Sequence, residues 1–283
     1  MTRGLPDTWP APAKLNLFLH VTGRRADGYH LLQTVFQFID VCDTLAFRPR
    51  SDAAIRCVEG APGVADDDNL AVRAARALQA ASGATHGADI GMVKRIPLGA
   101  GLGGGSSDAA TTLVALNAIW NLGLSIDRLA QIGLSLGADV PVFVRGHAAW
   151  GEGIGEKLQP VELPEPWYLV LVPPVAVPTR EVFTAPALKR DSAPIALSDF
   201  LAGAGRNDCE PVTRALYPQV GEALDWLGRR APARMSGTGA AVFAAFATRA
   251  EAEVIAETAP NRWRCFVAQG RNRSPLADIM RRV

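Results

Sequence analysis

Pro97-Leu98-Gly99-Ala100-Gly101-Leu102-Gly103-Gly104-Gly105-Ser106-Ser107 sets five glycines in eleven residues, between a segment that reads as a strand (Asp89 to Ile96) and one that reads as a helix (Asp108 to Trp120). Glycine at that density costs folding entropy, so it marks backbone that must turn tightly or come close to a ligand. In front of a helix, such backbone aims N–H groups and the positive dipole end at one point, a setting suited to phosphate. A plain surface turn is the competing reading. Ser106 and Ser107 add hydroxyls that can reach phosphate or a bound magnesium ion.

Two common phosphate loops are tested against this stretch. A P-loop needs lysine directly after its last glycine, and here Ser106 follows Gly105. Gly99 to Gly104 satisfies Gly-x-Gly-x-x-Gly, but a dinucleotide fold needs a second strand ending in an acidic residue about twenty positions on. That region, Trp120 to Asp127, reads as a helix-turn-helix junction. What remains is a glycine-serine loop with no lysine of its own, so charge neutralisation must come from elsewhere in the chain.

Outward from the loop, Lys14 to Thr22 alternates apolar and polar residues and predicts a strand. Gly23 to Gly28 reads as a turn, and Leu31 to Val41, Asp43 to Arg48 and Ala53 to Val58 as further strands. Asp66-Asp67-Asp68 precedes a helix over Asn69 to Ala81 and is expected to cap it. After the loop come helices over Asp108 to Leu122 and Ile126 to Leu136. The bend Gly137-Ala138-Asp139-Val140-Pro141 and a strand over Val142 to Val144 follow, then a hairpin over Ala148 to Leu158. Pro160 to Pro166 is the expected boundary between domains spanning 1–160 and 161–283. Beyond it, a strand (Tyr168 to Val172), helix (Asp208 to Arg229), glycine turn with strand (Met235 to Phe246), helix (Thr248 to Thr258) and last strand (Cys265 to Ala268) show no regular βαβ count. The class is therefore α+β.

Composition narrows the function. With 283 residues, 48% hydrophobic and 20% charged, the chain is that of a globular protein. A net charge of +1 argues against a nucleic-acid partner bound through phosphate neutralisation. Cys42, Cys57, Cys209 and Cys265 are too scattered for a zinc knuckle or redox dithiol and read as reduced thiols. Met1 to Pro12 lacks a signal-peptide core, and no apolar run reaches membrane-spanning length, so a cytoplasmic protein without a membrane partner is expected.

Single residues carry weaker signals. Lys14, in Ala11-Pro12-Ala13-Lys14-Leu15-Asn16-Leu17, reads equally as a snorkelling structural lysine and as a functional cation. Asp139 reads as a turn cap or as a base for an alcohol. Tyr29-His30 can stack on a nucleobase or pack in the core. Arg234-Met235-Ser236-Gly237-Thr238-Gly239-Ala240 is a second glycine turn flanked by hydroxyls.

Taken together, Pro12-Ala13-Lys14-Leu15-Asn16-Leu17, Pro97 to Ser107 and Ser236-Gly237-Thr238-Gly239, in that order, resemble the three segments of the GHMP small-molecule kinases. The resemblance covers nearly the whole chain. It is strongest to a branch acting on a cytidine diphosphate sugar-alcohol, through Arg25-Ala26-Asp27-Gly28-Tyr29-His30, Gly99 to Ala110, and Gly137 to Phe143. It implies a two-domain fold, with a ribosomal-protein-S5-like N-terminal domain and a ferredoxin-like C-terminal domain. It implies ATP as phosphoryl donor, brought with Mg2+, and a monomer or weak homodimer. Asp139 would take the proton from the acceptor hydroxyl, with Lys14 beside it offsetting charge. Pro97, Leu98, Gly99, Ala100, Gly101, Leu102, Gly103, Gly104, Gly105, Ser106 and Ser107 would wrap the ATP phosphates, with Asn69, Leu70 and Lys94 near adenine. Tyr29, His30 and Phe183 would hold cytosine, and Asn16 and Thr179 the acceptor end. The glutamate that holds magnesium in several relatives has no counterpart placed here, so metal ligands stay unassigned. Rival readings are a kinase for another alcohol such as mevalonate or homoserine, a nicotinamide oxidoreductase and an RNA-binding module.

Overall fold

Two long strands organise the fold. In a computed structural model, which describes residues 7–60 and 65–281, β1 (Trp9–Arg24) and β2 (His30–Arg50) pair antiparallel from Trp9↔Leu45 to Arg24↔His30. Then follow β3 (Ile55–Glu59), α1 (Leu70–Ser82), β4 (Gly87–Val93), α2 (Gly104–Ile119), α3 (Ile126–Leu134), α4 (Val140–Arg145), β5 (Ala149–Glu152) and β6 (Lys157–Pro160). The remainder contributes β7 (Trp167–Val172), α5 (Thr179–Thr184), α6 (Leu197–Leu201), α7 (Glu210–Leu216), α8 (Pro218–Gly228), β8 (Arg234–Met235), β9 (Val242–Phe246), α9 (Arg249–Ala256), β10 (Arg264–Arg271) and α10 (Pro275–Met280).

The strands join in the order β3-β4-β2-β10-β7-β9-β8, with β1 on β2 and the β5–β6 hairpin on β2. While β1 takes one edge of β2, the other is shared in succession by β5 at Thr34–Phe36, β10 at Phe38–Ile39 and β4 at Thr44–Arg50. Only β3 and β4 pair in parallel among these strands, so the α+β class holds. Shifts in the β1–β2 register fall at Pro12/Ala13, Asn16/Leu19 and Val21/Gly23. An extra residue bends a strand and re-aims its side chains. Here the second shift directly follows Asn16.

β1 is buried along most of its length because it contributes to several core clusters in turn. Ala13 and Leu15 face a cluster with Ile39, Val170, Phe243, Ala100 and Leu102. Trp9 and Ala11 join the core of α1, α2 and the N-terminal sheet, and Leu19 and Val21 join that of β7, β9, α7 and α8. Leu276 of α10 returns to the first core. Among the described residues no helix is long and apolar enough to cross a membrane.

Several local expectations are corrected. Val142 to Val144 lies in helix α4 rather than a strand. A run of valines suits either state, and packing decides: a Cβ at Gly133 of α3 would lie 2.6 Å from Val140 Cγ1, so the two helices touch closely. Pro141 sits in the first turn, where its missing N–H costs nothing. Asn69 caps α1 by accepting from the Ala71 N–H at 2.9 Å, in place of the acidic triplet. The two strands predicted within 31–48 are one continuous β2. Helix over 208–229 breaks into α7 and α8 at Tyr217, where Pro218 opens the second. Helix α2 starts at Gly104, four residues earlier than expected, so the last glycines and both serines form its first turn. Ser107 to Leu116 is buried throughout. Tertiary packing on all sides outweighs the roughly 1 kcal/mol helix penalty of each glycine.

Candidate active site

The glycine loop is anchored by every second residue. Ala100 and Leu102 are buried in the cluster beneath β1, and they alternate with Gly99, which is exposed, and with Gly101 and Gly103, which are half-buried. Burying Leu102 contributes about 2 kcal/mol, which is why the loop needs those apolar residues as much as its glycines. Its carbonyls are spoken for: Ala100 O accepts from Ala241 N–H at 3.0 Å, Gly101 O from Ser236 Oγ at 2.9 Å, and Leu102 O from Lys14 N–H at 3.0 Å. The loop thus docks on β1 and on the second glycine turn. With its carbonyls turned into the protein, the N–H groups opening α2 are left for a ligand.

Two glycines are sterically obligatory. Gly101 has φ +72, and a Cβ there would run into Ser236 O and lie 2.9 Å from Gly239 O. Gly103 has φ +74, and its Cβ would meet Phe143 Cζ at 2.7 Å and Lys14 Cε at 3.1 Å. Gly101→Ala is therefore expected to cost about 3 kcal/mol or more, since left-handed strain of 1–2 kcal/mol adds to a backbone clash. Urea unfolding measures this, and a loss below about 1 kcal/mol would contradict the packing described.

Lys14 lies against this loop with 3% of its side chain exposed, and its Nζ stands 3.1 Å from Asp139 Oδ2. The ammonium also donates to Asn16 Oδ1 and sits 5.6 Å from the Phe36 ring centroid. Asp139 stands at the start of α4, makes no side-chain capping bond there, and is 34% exposed. Its carboxylate is therefore free of local duty and open to the cleft. Strand alternation explains the pairing of Lys14 with Asn16, two residues apart on one face, while Ala13 and Leu15 fill the core opposite.

Asn16 links this pair to the second glycine turn. Its N–H donates to Ser236 Oγ at 3.1 Å, and its Nδ2 to Thr34 Oγ1 at 3.0 Å. Asn207 Nδ2 braces the turn on Met235 O and Gly237 O, and Thr213 Oγ1 donates to Thr238 O at 3.0 Å. Thr238 Oγ1 lies 3.3 Å from Thr179 Oγ1 on α5. Phe183 is one turn further along that helix and stacks on His30, with centroids 5.1 Å apart. The residues expected at the acceptor end and at the base thus form one connected line. Tyr29, beside them, is 58% exposed.

Leu70, at the start of α1, reaches the loop, its Cδ1 lying 3.3 Å from where a Cβ on Gly105 would be. Asn69 precedes it as the cap. Lys94 is held by two carboxylates, Asp43 on β2 and Asp108 on α2. Asp43 is fully buried and also accepts from the N–H groups of Arg95 and Ile96, directly before the loop. Sequence reasoning missed Asp43 and Asp108. An aspartate inside the mostly apolar run Phe36 to Phe47 was the signal available for Asp43.

Burial pushes the Asp108 carboxyl up to about 7 against the pull of Lys94, and the Asp43 carboxylate adds to the rise. Burial works against the Lys94 ammonium, but Asp108 and Asp43 outweigh it and raise its pKa. A carboxyl raised in the folded state binds its proton more readily than in the unfolded chain. Its contribution is full below the unfolded value of about 3.9 and is lost as pH rises through about 7. Asp108→Asn should therefore remove part of the stability loss between about pH 4 and about pH 7. Urea midpoints for both proteins across that range check this, and parallel profiles would contradict it.

Comparison with known proteins agrees with this geometry. Residues 69–147 match the family model "GHMP kinases N terminal domain", and residues 184–265 match "GHMP kinases C terminal". The chain is 57% identical over 275 residues to a 4-diphosphocytidyl-2-C-methyl-D-erythritol kinase of Nitrosococcus oceani, covering 97% of this chain and 98% of that one. A protein of the same name from Halorhodospira halophila is 58% identical over 271 residues, covering 95% and 94%. A crystal structure of 4-(cytidine 5'-diphospho)-2C-methyl-D-erythritol kinase superposes with a TM-score of 0.80 at 34% identity, over 93% of this chain and 98% of that one. The first model spans the glycine loop and Asp139, the second the glycine turn that braces them, and on that footing the chain belongs to the GHMP kinase family.

Proposed function

We propose that this protein transfers the γ-phosphoryl group of ATP to the 2-hydroxyl of 4-diphosphocytidyl-2-C-methyl-D-erythritol, a step of non-mevalonate isoprenoid precursor synthesis. The observation that carries it is the Lys14–Asp139 pair, 3.1 Å apart and seated against the glycine loop. In this reading Asp139 accepts the hydroxyl proton, the oxygen attacks the γ-phosphorus, and the bond to the β-phosphate bridge breaks to release ADP. Lys14 offsets the charge that gathers between the oxygens. Phosphoryl transfer asks mainly for positioning and charge stabilisation, and this cleft is built for both.

The loop from Pro97 to Ser107 holds the phosphates through backbone N–H groups, with Asn69, Leu70 and Lys94 toward the adenine. Tyr29, His30 and Phe183 take the cytosine, and Asn16 and Thr179 the methylerythritol end. Magnesium enters as part of the ATP substrate. Among the described residues no group of three or more His, Cys, Asp or Glu is gathered for a resident ion. The loop offers Ser106 and also Ser107, whose buried hydroxyl has no hydrogen-bond partner. The reading includes a cytoplasmic monomer or weak homodimer, with functional units spanning 1–160 and 161–283.

ADP release measured with the cytidyl alcohol against mevalonate, homoserine and galactose tests the proposal. Turnover should be confined to the cytidyl substrate. A preference for any other alcohol would move the chain to another branch of its family.

A further inference from the structure

His30 is held in one state by a residue that sequence reasoning did not single out. Arg190, on the segment after α5, donates from Nε to His30 Nε2 at 3.0 Å. Its guanidinium is pinned as well: Nη1 donates to Leu188 O at 2.9 Å, and Nη2 to Phe183 O at 3.0 Å and Ala185 O at 2.8 Å. All three of its nitrogens are therefore committed. The stacked Phe183 ring, inclined by 30°, fixes the imidazole plane.

A guanidinium has donors only and stays protonated. The nitrogen that accepts from it must present a lone pair, and the proton of the neutral ring then sits on the other nitrogen. His30 is thus neutral with its proton on Nδ1. Charging it would set one N–H against another. The charged groups facing the ring are Arg190 and, at the end of β1, Arg24. Burial and these two cations together lower the His30 pKa.

We propose that Arg190 is a positioning residue that sets the base specificity of the pocket, by fixing His30 as a permanent Nδ1–H donor toward the bound base. This rests on the cytidyl reading above. Cytosine carries a lone pair at ring N3, which such a donor satisfies. Uracil carries N3–H, which would face it donor to donor. The opposite tautomer would reverse the preference, so an arginine that never touches the base decides which base is read.

The test uses the full chain with 15N-labelled histidine. Its four histidines keep the spectrum simple, and His30→Gln identifies the signal. Wild-type His30 should show a protonated Nδ1 and a bare Nε2 from about pH 5 to about pH 8. Arg190→Met should mix the tautomers and raise the pKa of the ring, with burial and Arg24 still holding it below the ordinary imidazole value. The ratio of kcat/KM for the cytidyl alcohol over its uridyl analogue should fall about tenfold or more in Arg190→Met, with KM for ATP unchanged. Arg190→Lys, which keeps a cationic donor, should recover part of that ratio. A proton on Nε2 of the wild type overturns the proposal. So does an Arg190→Met enzyme whose KM rises equally for both alcohols with their ratio preserved, the outcome of a merely structural arginine. An enzyme inert toward the cytidyl alcohol defeats the substrate reading, while the nitrogen signals still decide the tautomer.

Discussion

Asp139→Asn is expected to lower turnover by at least two orders of magnitude while ATP binding persists. Asparagine has nearly the same shape but cannot accept the hydroxyl proton, and loss of a general base costs about 10²- to 10⁴-fold in rate. On the proposed reading the loss belongs in kcat, because that reading gives the phosphates to the loop and the N-terminal turn of α2 rather than to this carboxylate. The fold should be unaffected, since Asp139 makes no capping bond to α4 and is one third exposed. Isothermal titration with ATP, beside a coupled ADP assay, separates the two effects. Full activity in the variant rules out the assignment of the base, and lost ATP binding shows that the carboxylate serves the nucleotide site instead.

Lys14→Ala carries the second large effect, a fall in kcat of about 10²- to 10³-fold, the usual cost of deleting one preorganised charge from a reacting centre. The side chain is almost wholly buried, so alanine also leaves a cavity beside Phe36 and the loop. Lys14→Met fills that space without the charge and distinguishes the causes. If charge matters, both variants lose rate alike. If packing matters, methionine restores it. Stability should fall by about 1–3 kcal/mol in the methionine variant, because the buried Asn16 Oδ1 loses its donor, whereas water can replace the ammonium at the partly exposed Asp139. A loss confined to KM in both variants contradicts the role given to Lys14.

Much of this site was legible from residue order. A glycine loop without a lysine demanded a cation from elsewhere, and Lys14 stands against it. The alternation of β1 already put Lys14 and Asn16 on one face. The helix at Val140 to Arg145 was not legible, because valine-rich segments of six residues suit a strand as well as a helix. Close packing on Gly133 decides between them. Asp43 was invisible for a related reason. Its value lies in accepting from the backbone of Arg95 and Ile96 and in pairing with Lys94, partners more than fifty positions away.

The sequence by itself determined the α+β class, the order of the two glycine-rich segments, and the residue types on which the proposed chemistry rests. These are local properties: period-two alternation, glycine density, and the chemistry of single side chains. Only the tertiary structure decided that Gly101 lies against the Ser236 turn, that α5 sets Thr179 beside Thr238 and Phe183 against His30, and that Arg190 donates to His30. Each of these depends on bringing together groups 59 to 160 residues apart along the chain. No local pattern encodes such distances. They are settled by the burial of several clusters of side chains along β1 and β2.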